Sequence, residues 1–390
     1  MSPRNRIQAC SAAIAPWLVV ALAACGAPTD PPLIDGGPGD DAAAVVGVHR
    51  VELGAVTDGV PVPLPIGPHT LGAQIVVEVD DSNDSEVVGI RSVTSPSGEA
   101  VVAGGALVGH PLPIGSTPFG VATLVLPQTS ATSAIPLASG TWSVVFDVPA
   151  GHTAHAHAFV RTTEDGEFHG GALDVRIYIP EGLMLADPGP AHVVTPATAA
   201  TDPAVIARLD SFFATLASTF QLERGTVEFL PLPAKFATID FEGERLEALY
   251  NTVPFADGYG VHFVWSNEVT LGGTSVWGNS AWVPGLANSP QRWLSGVVVD
   301  VATPYPAAAD GMTMVHELGH FLGLFHTTEA NRSIHDPIAD TPECTSAAST
   351  CPDGHNIMFV TFYGASGGSG LTASPHQRRV VWGSPLYRAQ

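Results

Sequence analysis

Positive charge is scarce in this chain. Lys235 is its one lysine, and lysine and arginine together number 15 against 37 aspartates and glutamates. The resulting formal charge of -22 excludes a general nucleic-acid binder, because phosphate recognition needs clustered lysine and arginine. Charge of either sign is sparse at 13% of residues, whereas hydrophobic residues reach 45%, enough to fill two cores. At 390 residues the chain exceeds the usual size of one domain, so two are expected. Long apolar runs are missing as well: the run from Ala12 to Ala24 is too short to cross a bilayer as a helix. Cysteine occurs only four times, and two of the four, Cys10 and Cys25, fall at the N-terminus.

That N-terminus has the layout of an export signal. Arg4 and Arg6 precede the apolar run, which closes on Leu22-Ala23-Ala24-Cys25. Small residues directly before a cysteine resemble the bacterial lipobox, in which Cys25 becomes the lipidated first residue of the mature protein. The other reading is a plain signal peptide cleaved at an alanine, with Cys25 incidental. Residues 1–24 are thus expected to be a lipoprotein signal peptide. Residues 25–45, rich in Gly, Pro, Ala and Asp, are expected to be a disordered tether. The implied location is the bacterial cell envelope, outside the cytoplasm, on the outer membrane or cell surface, with the membrane engaged through the lipid anchor. Export also leaves Cys344 and Cys351 as the thiols of the mature fold. In an oxidising compartment they are expected to form a disulfide, the rival being a second metal site at these thiols.

Residues 316 to 326 read HELGHFLGLFH. His316 and His320 lie four apart, so on a helix they project from one face, one turn above the other. Two neutral imidazoles held this way can take two corners of a tetrahedral zinc ion. Glu317 lies between them, where a carboxylate can take the proton of a water activated by the metal. Gly323 lets the helix end in a left-handed turn, and the chain returns His326 as a third nitrogen ligand. Three protein ligands leave a fourth position open, the mark of a catalytic site rather than a closed structural one.

HExxHxxGxxH is the signature of the metzincin zinc endopeptidases, which this segment resembles. Their second mark is a methionine in a tight turn beneath the metal, and Met358, in Asn356-Ile357-Met358, is the candidate. The DTPEC stretch (Asp340 to Cys344), Cys351, the NIM tripeptide and LTASPHQRRVV (Leu371 to Val381) look most like the pappalysin branch. The resemblance implies an α+β catalytic domain, a mixed sheet plus active-site helix, acting on protein or peptide substrates with Zn2+. It departs at Val360, where many metzincins carry a tyrosine that assists the oxyanion; Tyr363 is the nearest phenol. It also implies an edge strand that pairs with extended substrate, expected in TSVWGNSAWVPG (Thr274 to Gly285). There Trp277 and Trp282 either line substrate pockets or belong to the core. Asp336, Asp340 and Glu343 crowd one loop, and the resemblance makes them candidates for a structural Ca2+, a solvated acidic loop being the alternative.

Ahead of this, residues 46–165 read as all-β. QIVVEV (Gln74 to Val79), VVGIRSV (Val87 to Val93), GVATLVL (Gly120 to Leu126) and TWSVVFDV (Thr141 to Val148) are separated by turn signals such as SPSGE and PLASG, the pattern of a β-sandwich. That domain is either a spacer or a binding module. His152, His155, His157 and His169 are expected to be exposed strand histidines. The catalytic domain is expected over 172–390. It opens with strand LDVRIYIP (Leu173 to Pro180), followed by a helix capped at Asp202-Pro203 that buries Ile206, Leu209, Phe212, Phe213, Leu216 and Phe220. The ligand helix should begin near Gly311. The function expected is zinc-dependent peptide hydrolysis with Glu317 as general base. The alternative is a surface lipoprotein binding module carrying a vestigial zinc domain.

Overall fold

The computed structural model describes Ile34–Asp35 and residues 46–79, 87–111, 120–130, 134–240, 260–280, 282–286, 296–302, 306–345, 351–360 and 370–389. The signal segment, Cys25 and Tyr363 lie outside the described residues. Strands up to residue 165 are β1 (Ile34–Asp35), β2 (Gly47–Val56), β3 (Pro61–Ile66), β4 (Thr70–Val79), β5 (Gly89–Thr94), β6 (Ala100–Ala103), β7 (Ala106–Leu107), β8 (Val121–Leu126), β9 (Gly140–Asp147) and β10 (Ala154–Thr162). They make two five-stranded sheets, in orders β1-β2-β10-β4-β8 and β3-β9-β5-β6-β7. β1 falls inside the stretch expected to be structureless and runs parallel to β2.

The two sheets differ in how they are covered. In β9 the inward residues Trp142, Val144 and Phe146 alternate with more exposed ones, as in a strand with one wet face. β4 and β8 are buried along nearly their whole lengths. Ile75, Val77 and Leu124 meet the facing sheet, while Val76, Val121 and Phe159 pack on Leu286 and Trp282 from the second half of the chain. The first sheet is therefore a middle layer. Its outer face explains a departure from expectation: His155 is exposed, but His157 is buried beside Phe159, and burial pushes its pKa down to about 3. Arg161 is buried on the same layer. Its Nε donates to Ser384 O at 2.6 Å, and its guanidinium stacks 3.7 Å from the centre of the Tyr387 ring. Gly72 lies so close to Gly383 that an added Cβ would come within 2.3 Å of backbone.

The second half contains β11 (Gly171–Pro180), β12 (Met184–Leu185), β13 (His192–Val193), α1 (Pro196–Ala199), α2 (Pro203–Phe220), β14 (Leu222–Leu232), β15 (Thr238–Asp240), β16 (Val261–Ser266), β17 (Glu268–Leu271), β18 (Thr274–Ser275), β19 (Gly278–Ser280), β20 (Val297–Asp300), α3 (Ala307–Phe321), α4 (Pro375–Trp382) and β21 (Arg388–Ala389). Its six-stranded main sheet runs β14-β11-β16-β20-β19, parallel along that path except for the antiparallel edge strand β19, and β21 pairs antiparallel with β11. The described architecture is α+β, rich in sheet and with few helices.

α2 begins where Asp202 accepts from Ala204 N at 2.9 Å and Val205 N at 3.3 Å, with Pro203 at the first helical position. Leu209, Phe212, Phe213, Leu216 and Phe220 enter the core as expected. Ile206 does not: it is exposed, and Val205 takes the buried position one residue earlier. α3 starts at Ala307, earlier than expected, because Pro306 stops the chain and Asp187 Oδ2 receives the Ala307 N–H at 2.7 Å. The two helices meet at Gly311, where an added Cβ would stand 2.6 Å from Phe212 N. The buried Arg208–Asp310 pair, at 2.8 Å, joins them.

Candidate metal centre

α3 carries the ligand residues to its C-terminal end, and the way it ends brings in the third. Gly323 adopts φ +108°, its N–H bonds to His320 O at 2.9 Å, and Leu324 N bonds to Gly319 O at 2.9 Å. This is a Schellman closure, which needs a residue free to adopt positive φ. The chain reverses there, and His326 Nε2 comes within 3.2 Å of His316 Nε2 and 3.1 Å of His320 Nε2.

The outer nitrogens are all engaged. His316 Nδ1 lies 2.7 Å from Ile357 O and His320 Nδ1 lies 2.7 Å from Leu324 O; both must donate, since a carbonyl only accepts. His326 Nδ1 lies 3.1 Å from Glu329 Oε2. With the protons on Nδ1, three Nε2 lone pairs face one point. Nitrogens bound to one tetrahedral zinc stand about 3.4 Å apart, so the observed cluster fits such an ion. Burial drives the pKa of His316 down to about 3 and that of His320 well below its ordinary value, with His326 adding to both. The imidazoles of His316 and His320 are thus kept in the neutral form that binds metal. Glu329 carries a lowered pKa: burial alone would raise it, but the His326 bond outweighs that. The sequence reading passed over Glu329; a carboxylate three residues beyond the third histidine was the available signal.

Glu317 is buried, and burial lifts its pKa to about 8, a backbone bond from Ser280 opposing the rise. It faces a cavity of about 300 Å3 lined by His316, His326, Thr313, Val276, Trp277, Gly278 and Val360. The cavity wall includes the edge strand β19. A Cβ on Gly278 would lie 2.7 Å from Glu317 Cγ, so the strand and the carboxylate are in contact only because this position has no side chain. The two tryptophans, for which pocket and core were both open, part company here. Trp277 lines the cavity, and Trp282 packs on the sandwich with Val48, Val76 and Phe159.

Met358 is fully buried, with its sulfur against Gly319 of the helix. Its N–H bonds to Asn356 Oδ1 at 2.8 Å, and Asn356 exchanges amide bonds with Gln377 of α4 at 2.8 and 3.2 Å. Ahead of it, Cys344 and Cys351 are joined by a disulfide. Asp353, which the sequence reading did not single out, accepts from both Thr327 Oγ1 and Thr328 Oγ1 at 2.8 Å.

The calcium expectation is corrected. Among the described residues Asp336, Asp340 and Glu343 form no common ligand cluster. Asp340 caps α4 through Ser374 Oγ at 2.6 Å and His376 N at 3.0 Å. Glu343 points to His335 at 3.9 Å. Asp336 is buried, receives the Thr341 hydroxyl at 2.5 Å, and has its pKa pushed up to about 8 by burial. Asp336 and Asp340 bond to separate protein donors and Glu343 points to His335, so their crowding in sequence does not become a shared site among the described residues.

No protein-family model matches the chain. Two curated proteins resemble a short part of it, both named extracellular metalloprotease, from Arthroderma benhamiae and Trichophyton verrucosum. Each is 42% identical over 13% of this chain and 24% of its own length. The chain therefore matches about a quarter of the length of these relatives. A solved structure, Bacillus licheniformis lipase BlEst2 in propeptide form, aligns over 34% of this chain and 25% of its own at 13% identity. Its TM-score of 0.18 gives no guide to the fold.

Proposed function

We propose that this chain is a zinc-dependent endopeptidase of the metzincin type, most like the pappalysin branch, held in the bacterial envelope by a lipid on Cys25. The observation that carries the reading is that His326 Nε2 meets the Nε2 atoms of His316 and His320 at 3.2 and 3.1 Å, beside a buried glutamate and the edge strand of the described sheet. The extracellular metalloproteases that share sequence with it support the same class.

His316, His320 and His326 would hold the ion. Zinc, when bound, supplies a Lewis acid that lowers the pKa of water towards ~7 and steadies oxyanion charge. The chain supplies the rest. Glu317 accepts the proton of the attacking water on its carboxylate and returns it to the leaving amine. Its ionised form is the competent base, and a nearby dication favours that form over the neutral one that burial alone would give. An extended peptide adds to the exposed side of β19, where backbone bonding fixes the scissile bond and Trp277 and Val360 border the side-chain cavity. Met358 underlies the ligand helix without binding metal.

The test is a pair of variants in protein lacking residues 1–45. Glu317→Ala should keep about one zinc per chain by elemental analysis, yet lose peptide hydrolysis by about 10²-fold or more. His320→Ala should lose most of the metal. Hydrolysis unchanged in Glu317→Ala would assign the base elsewhere, and wild-type zinc in His320→Ala would sink the ligand set.

A further inference from the structure

We infer that the β-sandwich is a working part of the metal and substrate site, acting through two buried glutamines as positioning residues: Gln128 for the third zinc ligand and Gln74 for the substrate edge. The inference rests on the peptidase reading for its substrate arm, but its metal arm stands on zinc binding alone.

The first arm starts at the reversal after α3. Gln128 follows β8, is buried, and donates from Nε2 to Gly323 O at 2.9 Å. Three residues earlier, in β8, a Val125 methyl carbon stands 2.5 Å from where a Gly323 side chain would begin. Phe325 packs against the sandwich core and its ring lies 4.2 Å from that of His110, which follows β7. Sandwich side chains thus grip residues 323 and 325 on either side of Leu324, whose carbonyl takes the His320 Nδ1 proton. The next residue is His326. A turn that sets two of three ligands is moulded against the other sheet layer, so its geometry is not a property of the HExxHxxGxxH segment alone.

The second arm concerns the edge strand. Gln74 in β4 is buried and donates from Nε2 to Gly285 O at 2.7 Å. Gly285 in turn gives its N–H to Phe321 O at 2.9 Å, and its Cα is so close to the Phe321 ring that a Cβ would overlap it at 2.0 Å. Trp282 and Leu286, on either side, pack on Val76, Val121 and Phe159 of the sandwich. The segment that leaves β19 is therefore pinned between the sandwich and the last turn of the ligand helix. β19 borders the cavity that Glu317 faces, so Gln74 sets the distance between the substrate edge and the metal without touching either.

The experiment uses the full chain, with both layers present. Near-isosteric variants Gln128→Met and Gln74→Met remove each donor, and Arg161→Met removes a sandwich contact that reaches Ser384 and Tyr387 instead of the site. Zinc Kd is read by chelator competition, kcat and KM on a fluorogenic peptide, and Tm by calorimetry. Gln128→Met is expected to weaken zinc about tenfold, in the range seen when groups supporting a ligand are lost. Gln74→Met should leave zinc Kd within about twofold while KM rises about fivefold or more, the signature of lost substrate binding. Arg161→Met should lower Tm without moving either constant. If Gln128→Met fails to fold, His110→Leu tests the same arm through Phe325. Equal weakening of zinc in the Gln128 and Arg161 variants, or a fall in Tm alone in all three, would overturn the inference. Wild-type protein that binds zinc but cleaves no peptide would refute the peptidase reading, and the zinc constants would still decide the Gln128 arm.

Discussion

Gly319 and Met358 occupy each other's space: a Cβ added to Gly319 would stand 2.3 Å from the Met358 sulfur. The variable position of HExxH just before the second histidine is thus constrained by a residue 39 positions later in the chain. Gly319→Ala should therefore destabilise the protein by about 1–3 kcal/mol, the usual cost of overpacking, despite the better helix propensity of alanine. Adding Met358→Ala should recover part of that loss, so the double variant will be more stable than the sum of the singles requires. Chemical denaturation of the four proteins measures the coupling, and strict additivity would show that the sulfur yields freely.

A second glycine guards the base. Gly278→Ala places a methyl 2.7 Å from Glu317 Cγ, a mid-chain atom that cannot step aside without moving the carboxylate. Hydrolysis should fall by about 10-fold to 10²-fold with zinc content unchanged, because the atoms nearest the added methyl belong to Glu317 and Val298 and not to a ligand. Elemental analysis beside steady-state kinetics checks this. Loss of zinc in the same variant would mean that the strand supports the metal itself.

How far the site was legible in sequence follows from the range of each interaction. His316, Glu317 and His320 are set by helix periodicity, and Gly323 announces the reversal that returns His326, so local rules suffice. The α2 cap at Asp202-Pro203 and the strand around Ile177 are equally local. Ile206 and His157 went astray because their exposure depends on the layer that covers them: α2 turns Val205 inward, and the second half of the chain lies over the outer face of β10. Asp336, Asp340 and Glu343 looked like one cluster because they are near in sequence. The loop instead sends Asp340 to the N-terminus of α4, residues Ser374 and His376, which no local pattern foretells. Gln74, Gln128 and Asp353 were invisible for the same reason, since their partners lie far away in the chain.

The start of α2 makes a prediction about pH. His192 Nε2 is 2.7 Å from Asp202 Oδ2. The His192 pKa is raised, by the bond to Pro190 O and then by Asp202. That of Asp202 is lowered: burial opposes this, but His192 and the two helix N–H groups prevail. A carboxylate with a lowered pKa adds stability above its unfolded value and loses it as pH falls through the folded one. A histidine with a raised pKa adds stability below its unfolded value and loses it as pH rises through the folded one. Their shared contribution is therefore fullest between about pH 4 and pH 6.5. Asp202→Asn keeps a competent cap but not the charge. Its Tm deficit should be largest near pH 5.5 and shrink by pH 8.5; a deficit that stays flat with pH would remove His192 from the account.

The last prediction concerns the disulfide, whose partners connect it to the third ligand. Cys344 N donates to Thr328 Oγ1 at 3.1 Å, that hydroxyl donates to Asp353 Oδ2, and Asp353 is two residues from Cys351. Thr327 adds a second hydroxyl to the same oxygen and bonds through its N–H to Met358 O at 3.1 Å. Residues 327 and 328 directly follow His326, so the bridge closes a ring of contacts around the segment that carries the ligand and the turn beneath it. Bonded cysteines seven apart restrain the unfolded chain by about 2 kcal/mol in the simple entropy picture. Mild reduction should therefore lower Tm and hydrolysis together, while zinc is retained at first because no thiol is a ligand. Asp353→Asn, with the bridge intact, should reproduce the loss of hydrolysis if the hydroxyl network transmits it, since an amide oxygen accepts less strongly than a carboxylate. Two free thiols in the native protein would remove the bridge. Full activity after confirmed reduction would leave it as a stabiliser only, with Thr327 and Thr328 held well enough by Asp353 alone.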